Sequence, residues 1–410
     1  MNRLLFVSDG YFDGETHHPD GPYSFFIKDG EIAAISIGDL AGDLAAWPDG
    51  FSGEGVRIER SAFLMPGLVE AHCHIFLEGG ELDFKARSDY LKSGEDAMLA
   101  MARRNAQANF QVGITLLRDA GDKHGINHRM RDEMNMDGAI GPAIRSSGLG
   151  IRKPRRYGGF MAREVDAPDE ITTAIDELME TGDELKVILT GIIDFEAGTV
   201  KGDPQFDLKE AKLIQQRADH HGRRSFAHCS GIAGLGVATG AGFNSIEHGF
   251  FMEPRILEIM ARKRIAWVPT FSPVHFQWAR PELADWNEET VGNLRAILDT
   301  HLEQVGLAHE MGVDLVAGSD AGSYGVKHGE ALIDELFFFL DAGMPMEAVL
   351  ASAMSVPRRL WSIEENGMAQ GNQAEFLTLA GSPFEDAKNL RRVEAIFKDN
   401  QYLSGLSQAA

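Results

Sequence analysis

From residue 63 onward the chain alternates short apolar runs with long helix-like stretches, and this rhythm restricts the fold more than any other feature. The runs cover residues 63–74, 114–118, 143–147, 184–189, 225–228, 245–248, 265–268 and 314–319. Helix-like segments such as 96–111, 170–181, 208–221, 254–263 and 288–311 lie between them. Eight strands alternating with helices predict an α/β chain of the (β/α)8 or TIM-barrel type. An open doubly wound sheet is the alternative, but no Gly-rich phosphate loop follows any of the runs.

The flanks read differently. Residues 3–63 consist of short strands and turns, with two β-rich runs around Asp29-Gly30 that signal a hairpin. Residues 42–55, rich in Gly, Ala, Pro and Asp, read as a loop. Short β-like runs return at 375–380 and 393–399. Residues 1–62 and 365–410 are therefore expected to form a small β-sandwich built from both termini, beside a barrel over 63–364. A chain of 410 residues with 44% hydrophobic content is long enough for both.

Charge and cysteine usage narrow the function. The net charge is −23, from 39 Lys and Arg against 62 Asp and Glu. So acidic a surface repels nucleic acid and anionic lipid, so neither is expected as a main partner. Two cysteines, Cys73 and Cys229, cannot staple a chain of this size and read as small buried hydrophobes. The N-terminal apolar run is too short for a signal peptide, and no run reaches membrane-spanning length. The expectation is a soluble cytoplasmic protein acting on a small molecule. Self-association into a homo-oligomer stays open, because no segment identifies an interface.

The chemistry gathers at predicted strand ends. The first run closes on His72 and His74, which share one strand face while Cys73 takes the other. Later runs end in His228, His248 and Asp320. A barrel gathers the C-terminal ends of its strands at one face, so these five residues should converge above it. Imidazole and carboxylate together make a metal site. Lys186 lies inside the fourth run. An ammonium is expensive to bury unpaired and cannot ligate a cation. It either pairs with a carboxylate such as Asp119 or is carbamylated by CO2.

Matching segments spread along almost the whole chain carry a resemblance. They include Met65-Pro-Gly-Leu-Val-Glu-Ala-His-Cys-His74, Thr115-Leu-Leu-Arg-Asp-Ala-Gly121, Leu185-Lys-Val-Ile-Leu-Thr-Gly191, Ser245-Ile-Glu-His-Gly249 and Ala317-Gly-Ser-Asp-Ala-Gly322. The chain resembles the amidohydrolase superfamily, and is most similar to its imidazolonepropionase-like and Xaa-Pro dipeptidase–carboxypeptidase branch. The resemblance implies two divalent cations. His72, His74 and Asp320 would hold one, and His228 and His248 the other, with a CO2-derived carbamate on Lys186 bridging both. Zinc is the default for such ligands, and manganese, cobalt or iron also suit them.

Two cations about 3.5–4 Å apart would activate a bridging water, with Asp320 passing its proton to the leaving nitrogen. The expected reaction is hydrolysis of a C–N amide-type bond in an N-acyl amino acid, dipeptide, urea or cyclic amide. A one-metal deaminase and an ester or lactone hydrolase are the alternatives, separable by metal stoichiometry and substrate profiling. A non-catalytic relative should have lost ligands, whereas all six positions are filled.

Loops should choose the substrate. Arg152 belongs to a basic knot with Lys153, Arg155 and Arg156, a candidate for capturing a carboxylate. Tyr157 is a candidate oxyanion donor, and Tyr324 and His328 are further candidate contacts. Dipeptidase-type members carry Tyr two residues after the strand-five His and His after the Gly-Gly of the third loop. This chain has Ser230 and Phe160 there, which speaks against Xaa-Pro cleavage while leaving the metal chemistry intact.

Overall fold

The computed structural model describes residues 3–51, 55–136, 138–363 and 367–405. The chain divides into two units. One comprises Met1–Leu68, Gln111–Ile114 and Pro345–Ala410; the other comprises Val69–Phe110 and Thr115–Met344.

In the first unit, strands Arg3–Phe12 and Val56–Pro66 pair in parallel. Tyr23–Lys28 and Glu31–Ile37 extend the sheet on one side, and Phe376–Leu379, Val393–Lys398 and Gln401–Ser404 extend it on the other. Period-two alternation sorts the side chains. Leu4 and Phe6 join one apolar cluster with Phe25 and Phe376, while Leu5 and Val7 join another with Phe26 and Phe51. The Asp29-Gly30 turn has φ of 53° and 88° at its two residues, the left-handed pair a two-residue type I′ hairpin requires. With the short His17–His18, which pairs with Arg3–Phe12, hydrogen bonds join these strands into one eight-stranded sheet. The cause is the central parallel pair, to whose two sides the N-terminal and C-terminal hairpins both add.

The second unit is mixed α/β. Its first sheet has three strands, Leu68–Cys73, Ile114–Asp119 and Ala143–Ser146. A second sheet runs in the order Ala162–Glu164, Gly150–Arg152, Glu184–Ile188, Arg224–Cys229, Ser245–His248 and Ala266–Val268, with every pairing parallel. Helices Glu95–Gln111, Pro168–Met179, Leu208–His220, Pro254–Lys263 and Glu288–Glu310 fall where the periodicity places them. Leu208–His220 opens on a reciprocal cap between Asp207 and Glu210.

The expected eighth strand, 314–319, is reduced to isolated parallel bridges, Trp267↔Leu315 and Cys73↔Ala321. Its backbone passes very close to its neighbours. A Cβ on Gly318 would lie 2.6 Å from Val268 and 2.9 Å from the His72 nitrogen, so only glycine fits. Asp320 N donates to the His72 carbonyl at 2.7 Å, and Asp183 N to the Ser146 carbonyl at 2.9 Å. A hairpin of Ile193–Asp194 and Thr199–Val200 follows the Lys186 strand. Among the described residues no helix is long and apolar enough to cross a membrane.

Candidate metal centre

Strand Leu68–Cys73 is buried at every position. Its alternation carries Glu70 and His72 on one face and turns Cys73 away, toward the Arg118 carbonyl at 3.7 Å. Both cysteines are buried and free, as expected. Strands Glu184–Ile188, Arg224–Cys229 and Ser245–His248 deliver Lys186, His228 and His248.

The predicted ligand-type residues meet at one place. The Asp320 Oδ1 lies 3.7 Å from Nε2 of both His72 and His74. The His72 and His248 rings are 5.0 Å apart, and His228 and His248 4.5 Å. Lys186 Nζ sits 3.5 Å from His72 Nε2. All six residues line a cavity of about 40 Å3. His248, Thr270 and Asp320 have φ of 68°, 51° and 55°, left-handed conformations of the kind that persist where surrounding structure enforces them around a site.

Around this cluster lies a shell that fixes the imidazoles. His72 Nδ1 meets Glu247 Oε2 at 2.6 Å, His74 Nδ1 the Gly121 carbonyl at 2.9 Å, and His248 Nδ1 the Thr270 hydroxyl at 2.7 Å. With Nδ1 engaged, Nε2 is left to face the cavity, the orientation metal-binding histidines adopt. Glu247 is itself held by Arg118 at 2.8 Å and by the Ser245 hydroxyl at 2.6 Å. Glu70 accepts from the backbone of His72 and Ser319 and from the Ser319 hydroxyl. Glu70, Arg118, Glu247 and Thr270 were not singled out from the sequence. The signal existed for three of them: each is a charged residue inside a buried apolar run, as Lys186 is.

Electrostatics favour the ligand form of the histidines. Burial, reinforced by the Lys186 charge, holds His74 and His228 down at about 3, and burial places His72 and His248 well below the usual range. All four are neutral at pH 7, as ligation requires. Burial also lowers Lys186 to about 8, against the pull of Glu247 and Asp320. Asp320 is pushed up to about 7 by burial, with Lys186 opposing. The suggested partner Asp119 instead accepts from Ile75 N, Gly121 N and Asn127. Among the described residues no carboxylate lies within 4.0 Å of the Lys186 ammonium.

The candidate substrate contacts divide. Tyr157 lines the small cavity and a larger adjoining one of about 230 Å3, with its ring 5.1 Å from His228. Tyr324 lines the larger cavity and donates its hydroxyl to the Leu82 carbonyl. Arg152 lines neither cavity. Its guanidinium bonds Glu164 and the Arg156 carbonyl, each at 2.8 Å, so it stabilises its own loop. His328 is buried on the Leu77 carbonyl at 3.0 Å and also lines neither.

The model of the amidohydrolase family matches residues 63–404. Ochratoxinase from Aspergillus niger is 25% identical over 406 residues, covering 89% of this chain and 80% of the relative. An uncharacterised protein of Mycobacterium tuberculosis is 27% identical over 324 residues, covering 78% of this chain and 80% of that protein. The solved structure of a Xaa-Pro dipeptidase with bound methionine superposes with a TM-score of 0.83 at 23% identity, over 98% of this chain and all of that one. The chain belongs to the amidohydrolase family and is a hydrolase acting on carbon–nitrogen bonds.

Proposed function

We propose that this protein hydrolyses an amide-type C–N bond in a small molecule at a site for two divalent cations, zinc first among them. One observation carries the reading: four neutral imidazoles, a carboxylate and a buried lysine line a single small cavity. The residues fit the group. His72, His74 and Asp320 offer ligand atoms within 4.8 Å of one another. His228 and His248 supply two more imidazoles. Lys186 fits as a carbamate, because a buried ammonium would oppose a cation, and among the described residues no carboxylate lies within 4.0 Å to pair with it, whereas a carbamate would hold a cation. The parallel strands, linked by the bridges at Leu315 and Ala321, support a (β/α)8 barrel as the scaffold, the hydrolase unit spanning 63–364.

When bound, the cations supply Lewis acidity, activating water and polarising the scissile carbonyl. The chain supplies the rest. Asp320 receives a proton on its carboxylate and returns it to the departing nitrogen. Tyr157 offers a hydroxyl to the carbonyl oxygen as charge develops there. Phe160, whose ring is 6.2 Å from that of His74, and Ser230, whose hydroxyl accepts from Phe250 N, stand where Xaa-Pro cleavage would call for His and Tyr. The reading therefore prefers amides and ureas over Xaa-Pro dipeptides. Asp320→Asn should keep its folded structure and most of its metal while kcat falls about 10²-fold or more. A variant with both metals and full hydrolysis would refute the role given to Asp320.

A further inference from the structure

The cavity of about 230 Å3 beside the cluster shares Tyr157, His228, His248, Asp320 and Ser323 with it, so whatever fills it is joined to the reacting bond. The rest of its wall is apolar or neutral. Ile192, Ile193 and Phe195 come from the hairpin segment, and Phe250, Pro273 and Val274 also line it. Among the described residues no Lys or Arg lines it, and the one lining carboxylate is Asp320.

Basic residues of the adjoining segments have partners of their own, Lys201 with Asp194 at 3.8 Å and Arg87 with the Gly322 carbonyl at 3.2 Å among them. Arg152 is held by Glu164, Lys153 by Glu210 at 2.6 Å, and Arg156 by the Asp203 carbonyl. Most neutral polar groups in the wall are also occupied. The Ser230 hydroxyl accepts from Phe250 N, the Thr270 hydroxyl meets His248, and Tyr324 donates to Leu82. Gln277 accepts from the Trp286 indole at 2.9 Å. An anion on the part of the substrate that points away from the metal ligands would find no Lys or Arg among the described lining residues and a net charge of −23 outside.

Size narrows the occupant further. A cavity of about 150 Å3 lined by aliphatic and aromatic side chains holds benzene, so this one has room for a ring with a short substituent. The hairpin wall is fixed from outside, because Asn293 donates to the carbonyls of Phe195 and Glu196 at 3.1 and 3.0 Å.

From this wall we infer that the substrate places an uncharged, ring-sized apolar group in this cavity, and that the same amide bearing an anion on that group is rejected. The inference rests on the hydrolase reading for its link to catalysis, but binding tests it independently of turnover. The probes are benzamide with an isopropyl or a sulfonate group at the para position. Calorimetry on the metal-loaded full chain, wild type and Ile193→Lys, measures both. The expected result is at least tenfold tighter binding of the isopropyl compound to wild type. The added cation in the variant should shrink that ratio at least fivefold. Ile192→Lys, at a half-exposed position, serves if the first variant fails to fold. Equal or tighter binding of the sulfonate compound to wild type would overturn the inference, as would a ratio unmoved in the folded variant. Loss of hydrolysis across a panel of neutral amides, with the binding preference intact, would refute the hydrolase reading instead.

Discussion

Replacing Glu247 by Gln should weaken the metal centre without touching a ligand. The residue is fully buried, and its Oε2 receives both His72 Nδ1 at 2.6 Å and Arg118 at 2.8 Å. A glutamine keeps the shape and can place its carbonyl oxygen where Oε2 was, with its amide nitrogen toward Ser245. The lost quantity is then the charge. Hydrogen bonds to charged groups contribute ~1.5–3 kcal/mol and neutral ones ~0.5–1.5, so two weakened bonds cost about 2 kcal/mol. For a folding unit of this size that lowers Tm by roughly 4–8 °C. Because His72 also loses basicity and a fixed orientation, metal affinity should fall about 10–100-fold. Competition against a chromogenic chelator measures the affinity, and thermal melting with and without chelator measures the stability. A variant that melts lower but binds metal within twofold of wild type would refute the idea that Glu247 acts through a ligating His72.

Two further predictions use residues outside the ligand set. A Cβ on Gly150 would sit 2.9 Å from Cγ and 3.0 Å from Cβ of Lys186, so Gly150→Ala should displace the lysine and lower metal content in a protein whose circular dichroism is unchanged. Glu335, fully buried while accepting from Phe271 N and Ser272, is raised by burial to about 8. A raised carboxyl contributes most below its unfolded pKa of about 4.5, and that contribution is lost as pH rises toward 8. Glu335→Gln should therefore flatten the decline of stability between pH 5 and 8 by several kcal/mol, on the order of 1.4 per pH unit. Denaturant melts at four pH values check it, and parallel pH profiles for wild type and variant would contradict it.

Much of the site was legible because ligand-type residues interrupt apolar runs. His72, His74, His228 and His248 stand out against Val, Leu, Ile and Ala neighbours, and Asp320 closes the last run. The same contrast exposed Lys186. The contrast also marks Glu70, Arg118 and Glu247, but only the fold reveals that Glu247 reaches the His72 imidazole, that Arg118 holds Glu247 and that Glu70 holds the backbone of His72 and Ser319. The basic knot misleads for a related reason. Glu164 lies 12 residues from Arg152 and Glu210 lies 57 from Lys153, so the acids that engage the knot are brought to it by folding. His328 reads as a loop histidine, yet Asn109 and the Leu77 carbonyl hold it from 219 and 251 residues away. The alternation of strands and helices holds except at the eighth run, where close backbone approach and a left-handed Asp320 replace a regular strand. In the small unit the strands were readable, but alternation alone does not reveal that a central parallel pair merges them into one sheet.

Metal content per chain, measured by elemental analysis on wild type and Lys186→Ala grown in zinc or manganese, tests the central claim most directly. The account predicts two metals in wild type and a sharp fall in the variant, with circular dichroism showing that both are folded. One metal per chain, unchanged by removing Lys186, would contradict the bridged site and leave the lysine as a structural residue.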